Sequence, residues 1–310
     1  MKNDYLTEAD FRQPRDFGAK INATFGFLSA HFQPLGRCVA YFVLPIALVS
    51  GIALGLMQVT MQGRLAEFGR QAKTSDTPDF SNLFAGGFAG SFVLGLLGTV
   101  LAYLVVTITT VGYVRARLDL PATEEVQPRQ VWSYIRRDLG RMILYLIPLG
   151  MLSVVAALLF VVPAIWLSIP VALFNIVLVL EETGFSATLN RCISLVKENW
   201  WATLGLILVM SIIRGIIGLV FQIPQFVVIG AKAAHLPGLG SDAAVLTTQC
   251  FTAIGQILLY VPGILALVFQ YFNLVEQKEG LGLRGLVGQL GQAPRPAANQ
   301  TFRPDEEGEY

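Results

Sequence analysis

The chain has 310 residues, of which 54% are hydrophobic and only 14% charged, against about 25% charged in an ordinary soluble domain. That balance excludes a disordered chain, which needs low hydrophobicity and high charge, and it leaves too few charges to cover a soluble enzyme of this size. The formal net charge of +1 excludes a nucleic-acid binder that relies on a strongly basic surface.

The charges are segregated, and the gaps between them set the predicted elements. A helix crossing a hydrocarbon core of about 30 Å needs about 20 apolar residues. Residues 1–37 form a polar N-terminal segment. Within it Phe17, Ile21, Phe25, Leu28 and Phe32 recur every three or four positions, which makes one apolar helical face, with Lys20 and His31 pointing elsewhere. No apolar stretch begins near Met1, so no cleavable signal peptide is expected and the first span serves as its own insertion signal. The membrane domain is predicted over 38–275, with spans one and two at 38–57 and 84–114. Between Met142 and Leu180 lie 39 residues without a charge. As one helix they would reach about 58 Å, so they are read as spans three and four, 142–162 and 164–180, parted at Pro163. Spans five and six are predicted over 200–222 and 243–275, the long second and sixth tilting or running past the bilayer. The tail, 276–310, is expected to be largely disordered from Gln292 onward, after a short surface helix over Leu281–Leu290.

Two more amphipathic segments precede spans three and five. Val131, Trp132 and Ile135 stand beside Arg136 and Arg137, and Phe185, Leu189, Ile193 and Val196 beside Arg191 and Lys197. The expected fold is an all-α polytopic membrane bundle of six transmembrane helices, with amphipathic helices in the cytoplasmic interface. Six spans put both termini on one side. Seventeen Lys and Arg fall there, against Arg64, Arg70, Lys73 and Lys232 opposite, so the termini are expected in the cytoplasm of an inner-membrane protein.

A repeat underlies the pattern. Gly36-Arg37-Cys38-Val39-Ala40-Tyr41, followed by Pro45 and Ser50, aligns with Gly140-Arg141-Met142-Ile143-Leu144-Tyr145, followed by Pro148 and Ser153, after a one-residue gap. Phe17-Gly-Ala-Lys-Ile-Asn22 echoes Phe185-Ser-Ala-Thr-Leu-Asn190. The echoes suggest three parallel units, each an amphipathic segment followed by two passes.

Catalytic constellations are missing from the reading. His31 and His235 fall on opposite sides, no Asp or Glu lies at membrane depth, and Cys38, Cys192 and Cys250 lack metal-ligand spacing. The three thiols read as small apolar residues, and neither enzyme activity nor a cofactor is expected. Asn22-Ala-Thr and Asn299-Gln-Thr match the glycosylation pattern but are predicted cytoplasmic and are discounted. Pro45, Pro148, Pro170 and Pro262 fall inside spans and can kink them. Gly86, Gly87, Gly90, Gly95 and Gly98 favour close helix contact in span two, within the chain or between copies.

Arg214 is the one intramembrane charge, about 21 Å from the start of its span. It is a candidate anion site, or a structural residue snorkelling to the far interface. By depth Gln249, Thr252 and Ser91 are its expected partners. Arg136, Arg137, Arg141, Arg191 and Lys197 are the candidate contacts for anionic phospholipid at the cytoplasmic face.

The stretch Phe185-Ser-Ala-Thr-Leu-Asn-Arg-Cys-Ile-Ser-Leu-Val-Lys-Glu-Asn-Trp-Trp-Ala-Thr-Leu-Gly205 resembles a segment of bacterial multi-span proteins, among them the membrane domain attached to some glycerophosphoryl diester phosphodiesterases. Lys197, Asn199, Trp200 and Trp201 match, while Glu198 stands where that segment has Gly. The close of the last span, Tyr271 to Gly280, is similar too. The catalytic barrel of those enzymes is absent, so no activity or functional residue carries over. The resemblance implies a helical membrane module that handles or senses lipid. Together these readings lead to a non-enzymatic protein with a structural, accessory or lipid-interacting role. The alternative is a transporter or permease component for a small or anionic, lipid-like substrate. The expected partners are membrane lipids, with a homo-oligomer or membrane partner left open.

Overall fold

The computed structural model describes residues 5, 8–74, 87–121, 123–234, 236 and 238–280. Among them regular structure is helical, with no strand. In chain order the helices are α1 (Glu8–Phe11), α2 (Phe17–Ala30), α3 (Phe32–Thr74), α4 (Gly87–Asp119) and α5 (Pro128–Leu159). They continue as α6 (Val161–Glu181), α7 (Phe185–Val196), α8 (Trp200–Ala233), α9 (Asp242–Leu258) and α10 (Tyr260–Glu279). The predicted tail helix, His235, Gly86 and Asn299 lie outside the described residues.

Six helices are long and apolar enough to cross a membrane, with mean hydropathy of 2.0 to 2.5: α3, α4, α5, α6, α8 and the α9–α10 pair taken together. They run alternately up and down, so α2, the α4–α5 connection, α6–α7 and the C-terminal end of α10 share one end of the bundle, here the terminal end. Three boundaries differ from expectation. The break between the third and fourth spans falls at Phe160, which has extended backbone, and Pro163 sits in the first turn of α6. There its missing N–H costs nothing and its fixed φ suits a helix start. The sixth span is broken at Leu259, and Pro262 again occupies the first turn of the helix that follows. The segment 131–141 is the extension of α5 at the terminal end rather than a separate helix, because no proline between Arg136 and Met142 stops it.

The helices α2 and α7 do form ahead of α3 and α8. Their first residues, Phe17 and Phe185, lie 168 positions apart, and the starts of α3 and α8, Phe32 and Trp200, lie 168 apart as well. In that register Lys20, Thr24 and Phe27 correspond to Thr188, Cys192 and Leu195, and all six are buried. The apolar positions Phe17 and Phe25 of α2, and Phe32 at the start of α3, are exposed instead. The buried side of α2 is thus the mixed one, Lys20, Ala23, Thr24 and Phe27, rather than the row of phenylalanines. Burial lowers the pKa of Lys20, with Asp16 acting against it.

The core sits at the terminal end, where α4 (Ala102 to Ala116), α6 (Ile169 to Val179) and α10 (Ile264 to Val275) converge. Phe11 of α1 and Tyr5 plug it: Phe11 is fully buried and stacks on Phe269 at 5.6 Å. Tyr5 and Phe11 are therefore part of the core, so the N-terminal segment is not merely a polar leader. His31 joins the same cluster, stacked on Phe27 at 4.4 Å. Away from that end α5 and α8 expose most of their apolar length, only 17% of each span window being buried. Rows such as Leu158, Leu159, Phe160, Val161 and Val162 exceed 60% exposure. Surfaces of that extent need an apolar solvent.

Close approaches fix the neighbours. A Cβ on Gly98 would lie 2.8 Å from Ser50 Cβ, and one on Gly95 2.6 Å from Leu54. The small residues of α4 are thus used within the chain against α3, while Gly51 and Gly55 of α3 receive Cys250 and Leu246 of α9.

Candidate functional site

The terminal end carries an ion network. Asp138, fully buried, is held by Arg137 at 2.7 Å and Arg141 at 3.3 Å. Arg137 also reaches Glu182 at 2.8 Å, which Arg115 pairs as well. Arg141 donates to the Thr183 carbonyl at 2.5 Å. Arg191 bridges Glu181 at 2.9 Å and Glu279 at 2.6 Å, and Tyr271 donates to Glu181 at 2.9 Å. Glu182 adopts a left-handed backbone (φ 55) at the end of α6, a place usually given to glycine, and its two arginine partners compensate for that strain. Arg117, 3% exposed, closes the end of α4 by donating to the carbonyls of Leu120, Pro121 and Glu124. Three of the five expected lipid contacts, Arg137, Arg141 and Arg191, are thus committed to carboxylates of this chain. The acidic residues that pair them are close in space but, Asp138 excepted, distant in sequence.

Arg136 and Lys197 remain exposed. So does Arg129, which the sequence reading did not single out. Arg129, Trp132 and Arg136 are spaced to share one face of α5, and that spacing was the available signal. Arg129 and Trp132 line a groove of about 620 Å³ with Gln127, Pro128, Tyr41 and Phe42. Its wall is built from two helices: Phe42 of α3 stacks on Trp132 of α5 at 5.6 Å. Tyr41 is 72% exposed.

Arg214 lies in a seam between α8 and the antiparallel α9–α10. The rungs are polar. Asn199 donates to Gln277 at 3.0 Å and Gln270 to Thr203 at 2.8 Å. Gln256 donates to the Gly218 carbonyl at 3.1 Å and Thr252 to that of Phe221 at 2.9 Å. Thr248 donates to Gln225, which donates on to Gln58 of α3 at 2.6 Å. Lys232 pairs Asp242 at 2.5 Å at the far end. Between the Thr203–Gln270 and Gly218–Gln256 rungs the ladder stops, and a cavity of about 130 Å³ opens there. Its lining includes Tyr103, Met210, Ser211, Arg214, Tyr260 and Gly263. The Arg214 guanidinium lies over the Tyr260 ring at 4.3 Å. Among the described residues Arg214 has no hydrogen bond and no ion pair; Tyr103, in the same lining, is its other electrostatic neighbour.

The structure therefore separates Arg214 from its three expected partners. Thr252 bonds α8 at Phe221, two turns beyond Arg214, Gln249 packs against Gly55, and Ser91 stands on α4; none lines the cavity. Nor does the side chain snorkel outward, since it folds inward over Tyr260. A cation–π contact stabilises by about 0.5–2 kcal/mol, whereas an arginine at the centre of a span costs about 2.5–3.5 kcal/mol on insertion scales. Tyr260 alone does not offset that cost.

Cys192 is buried on α7, where burial, with Glu181 adding to it, pushes its thiol up to about 12. Among the described residues no three His, Cys, Asp or Glu gather as a metal site.

Among the described residues, an all-helical bundle with six membrane-length apolar helices and no charged residue but Arg214 along their apolar cores is compatible with a multi-pass membrane protein. The chain belongs to the family described as Domain of unknown function (DUF7847), whose profile matches residues 27–276. No curated protein and no solved structure matches the chain. The match covers the multi-span body, while the likeness to phosphodiesterase membrane domains rests on Phe185–Gly205 and Tyr271–Gly280 and is not shown by this match.

Proposed function

We propose that this is a non-enzymatic, lipid-interacting membrane protein that engages anionic phospholipid at its terminal end, which faces the cytoplasm. The observation that carries the reading is the groove of Tyr41, Phe42, Trp132 and Arg129. It joins an aromatic wall, suited to the headgroup layer, to a cation, Arg129, that no carboxylate among the described residues neutralises. Arg136 and Lys197 extend the positive rim. In this reading α2 and α7 lie at the interface, with the exposed faces of Phe17, Phe25 and Phe32 towards acyl chains. The shared spacing of 168 residues and the matched burial of α2 and α7 support the repeat. The test is co-purification and vesicle binding. Parent protein should retain phosphatidylglycerol over phosphatidylcholine, and the triple change Arg129→Gln, Arg136→Gln, Lys197→Gln should abolish that preference. An unchanged lipid profile would refute the proposal.

A second reading, a transporter or permease component for a small or anionic substrate, is favoured by the cavity at Arg214. Its check is solvent access: Ser211→Cys should react with a membrane-impermeant thiol reagent, and an inert cysteine there would count against a translocation path.

A further inference from the structure

We propose that the cavity at Arg214 binds the phosphate-bearing head of an anionic phospholipid, entering sideways between α8 and α10. Three observations converge on it. The guanidinium is an intramembrane cation with the Tyr260 ring beneath it and Tyr103 nearby, and among the described residues it makes no hydrogen bond and no ion pair. Its N–H fork is thus left to a guest, and a phosphate or carboxylate matches that fork. The Ser211 hydroxyl lies on the same wall, exposed towards the bilayer side. The space fits a head and not a whole lipid: about 130 Å³ accommodates a phosphate ester, while two acyl chains must stay outside. The remaining walls, Met210, Ile264 and Leu267, are apolar and continue towards the terminal end, so a chain attached to the bound head has a greasy surface to follow. The Thr203–Gln270 rung, both residues fully buried, closes the cavity on that side. The Gly218–Gln256 rung closes it on the other.

No carboxylate lies in any predicted span, so nothing within the apolar cores opposes an anion. The inference takes its site from the second reading above and asks only for binding, so the two can fail separately.

The full-length protein carrying Arg129→Gln, Arg136→Gln and Lys197→Gln, which silence the rim, is delipidated in detergent. It is titrated with dioleoyl phosphatidylglycerol, dioleoyl phosphatidylcholine, sodium oleate or inorganic phosphate, and read by native mass spectrometry. One phosphatidylglycerol per chain is expected to bind in preference to the other three. Arg214→Gln should weaken it about 10- to 100-fold, the range for losing a hydrogen bond to a charged group, and Arg214→Lys should weaken it less. Gly263→Leu guards against misfolding of the charge variants. A Cβ there meets nothing within 4 Å, so the side chain enters the cavity, leaves Arg214 in place and should block binding with thermal stability unchanged. Equal binding by parent, Arg214→Gln and Gly263→Leu would overturn the proposal. So would Arg214-dependent binding of oleate or inorganic phosphate without phosphatidylglycerol. Retained binding with no lipid movement in a vesicle translocation assay would sink the transporter reading and leave this one standing.

Discussion

Replacing Phe11 with alanine tests whether the N-terminal segment is part of the bundle. The ring is 0% exposed. It touches Phe269 at 5.6 Å, Phe272 at 5.5 Å, Phe27 at 5.7 Å and Tyr5 at 6.2 Å. Truncating a buried phenylalanine costs about 3–5 kcal/mol, through lost transfer energy and the cavity left behind. Here the loss falls at the lower end, about 3 kcal/mol, because α1 has four residues and can undock instead of enclosing a void. Undocking also releases Arg15, whose backbone N–H donates to Asn273 at 2.8 Å and whose guanidinium covers Phe269. The assay is denaturant unfolding of the purified protein in micelles, with limited proteolysis after Arg12 or Arg15 as a local readout. A double-mutant cycle with Phe269→Leu should show coupling of about 0.5–1.5 kcal/mol, the range for an aromatic pair. A loss below about 1 kcal/mol with unchanged proteolysis would refute the docked segment.

Three further substitutions probe the rest of the frame. Gly98→Leu should destabilise by 1–3 kcal/mol or more in a thermal melt, since its Cβ would sit 2.8 Å from Ser50 Cβ and overpacking forces the helices apart. Gly90→Ala, with no atom within 4 Å, should be neutral or stabilise by up to about 1 kcal/mol through helix propensity. Asp138→Asn should cost about 3 kcal/mol by denaturant unfolding, the lower end for breaking a buried ion pair, because Arg137 keeps Glu182 and Arg141 keeps the Thr183 carbonyl. Cys192 should resist maleimide at pH 8 until the protein unfolds. Burial raises its pKa to about 12, so the thiolate fraction is about one in ten thousand at that pH, and the unfolded thiol, near 8.5, reacts freely.

The span count was legible because an apolar run longer than 20 residues has few alternatives in a protein. The hinges at Phe160 and Leu259 were each misplaced by two or three residues or missed. A proline marks the first turn of the following helix as readily as the end of the preceding one, and only the backbone path decides. The fates of Arg137, Arg141 and Arg191 were illegible for a different reason. Basic clustering is visible in sequence, but Glu181, Glu182 and Glu279 come from elements that only the fold brings alongside. Phe11 went unread because a four-residue helix has no periodicity to display. Arg214 stood out from charge placement alone. Its neighbours did not, because depth along a span gives height in the bilayer and says nothing about which face of which helix lies beside it.

Two kinds of adhesion divide this bundle. Helices in lipid gain little hydrophobic energy by meeting, so contact depends on close backbone packing or on hydrogen bonds. The α3–α4 and α3–α9 contacts use the first, with glycine at Gly51, Gly55, Gly95 and Gly98. Such contacts admit no gap without losing their packing. The α8 contacts lean on the second: discrete rungs of Gln, Asn and Thr, with glycines at Gly218 and Gly255 where Gln256 and Phe221 come close. A ladder of separate rungs can omit some and survive, as a glycine interface cannot. The gap falls on α8, one of the two helices least buried by the rest of the bundle. It also holds the single charge of the spans. Elsewhere in the seam each rung joins α8 to α9–α10 by a hydrogen bond, whereas at Arg214 the cation remains, the rungs are missing, and the space they would fill is open.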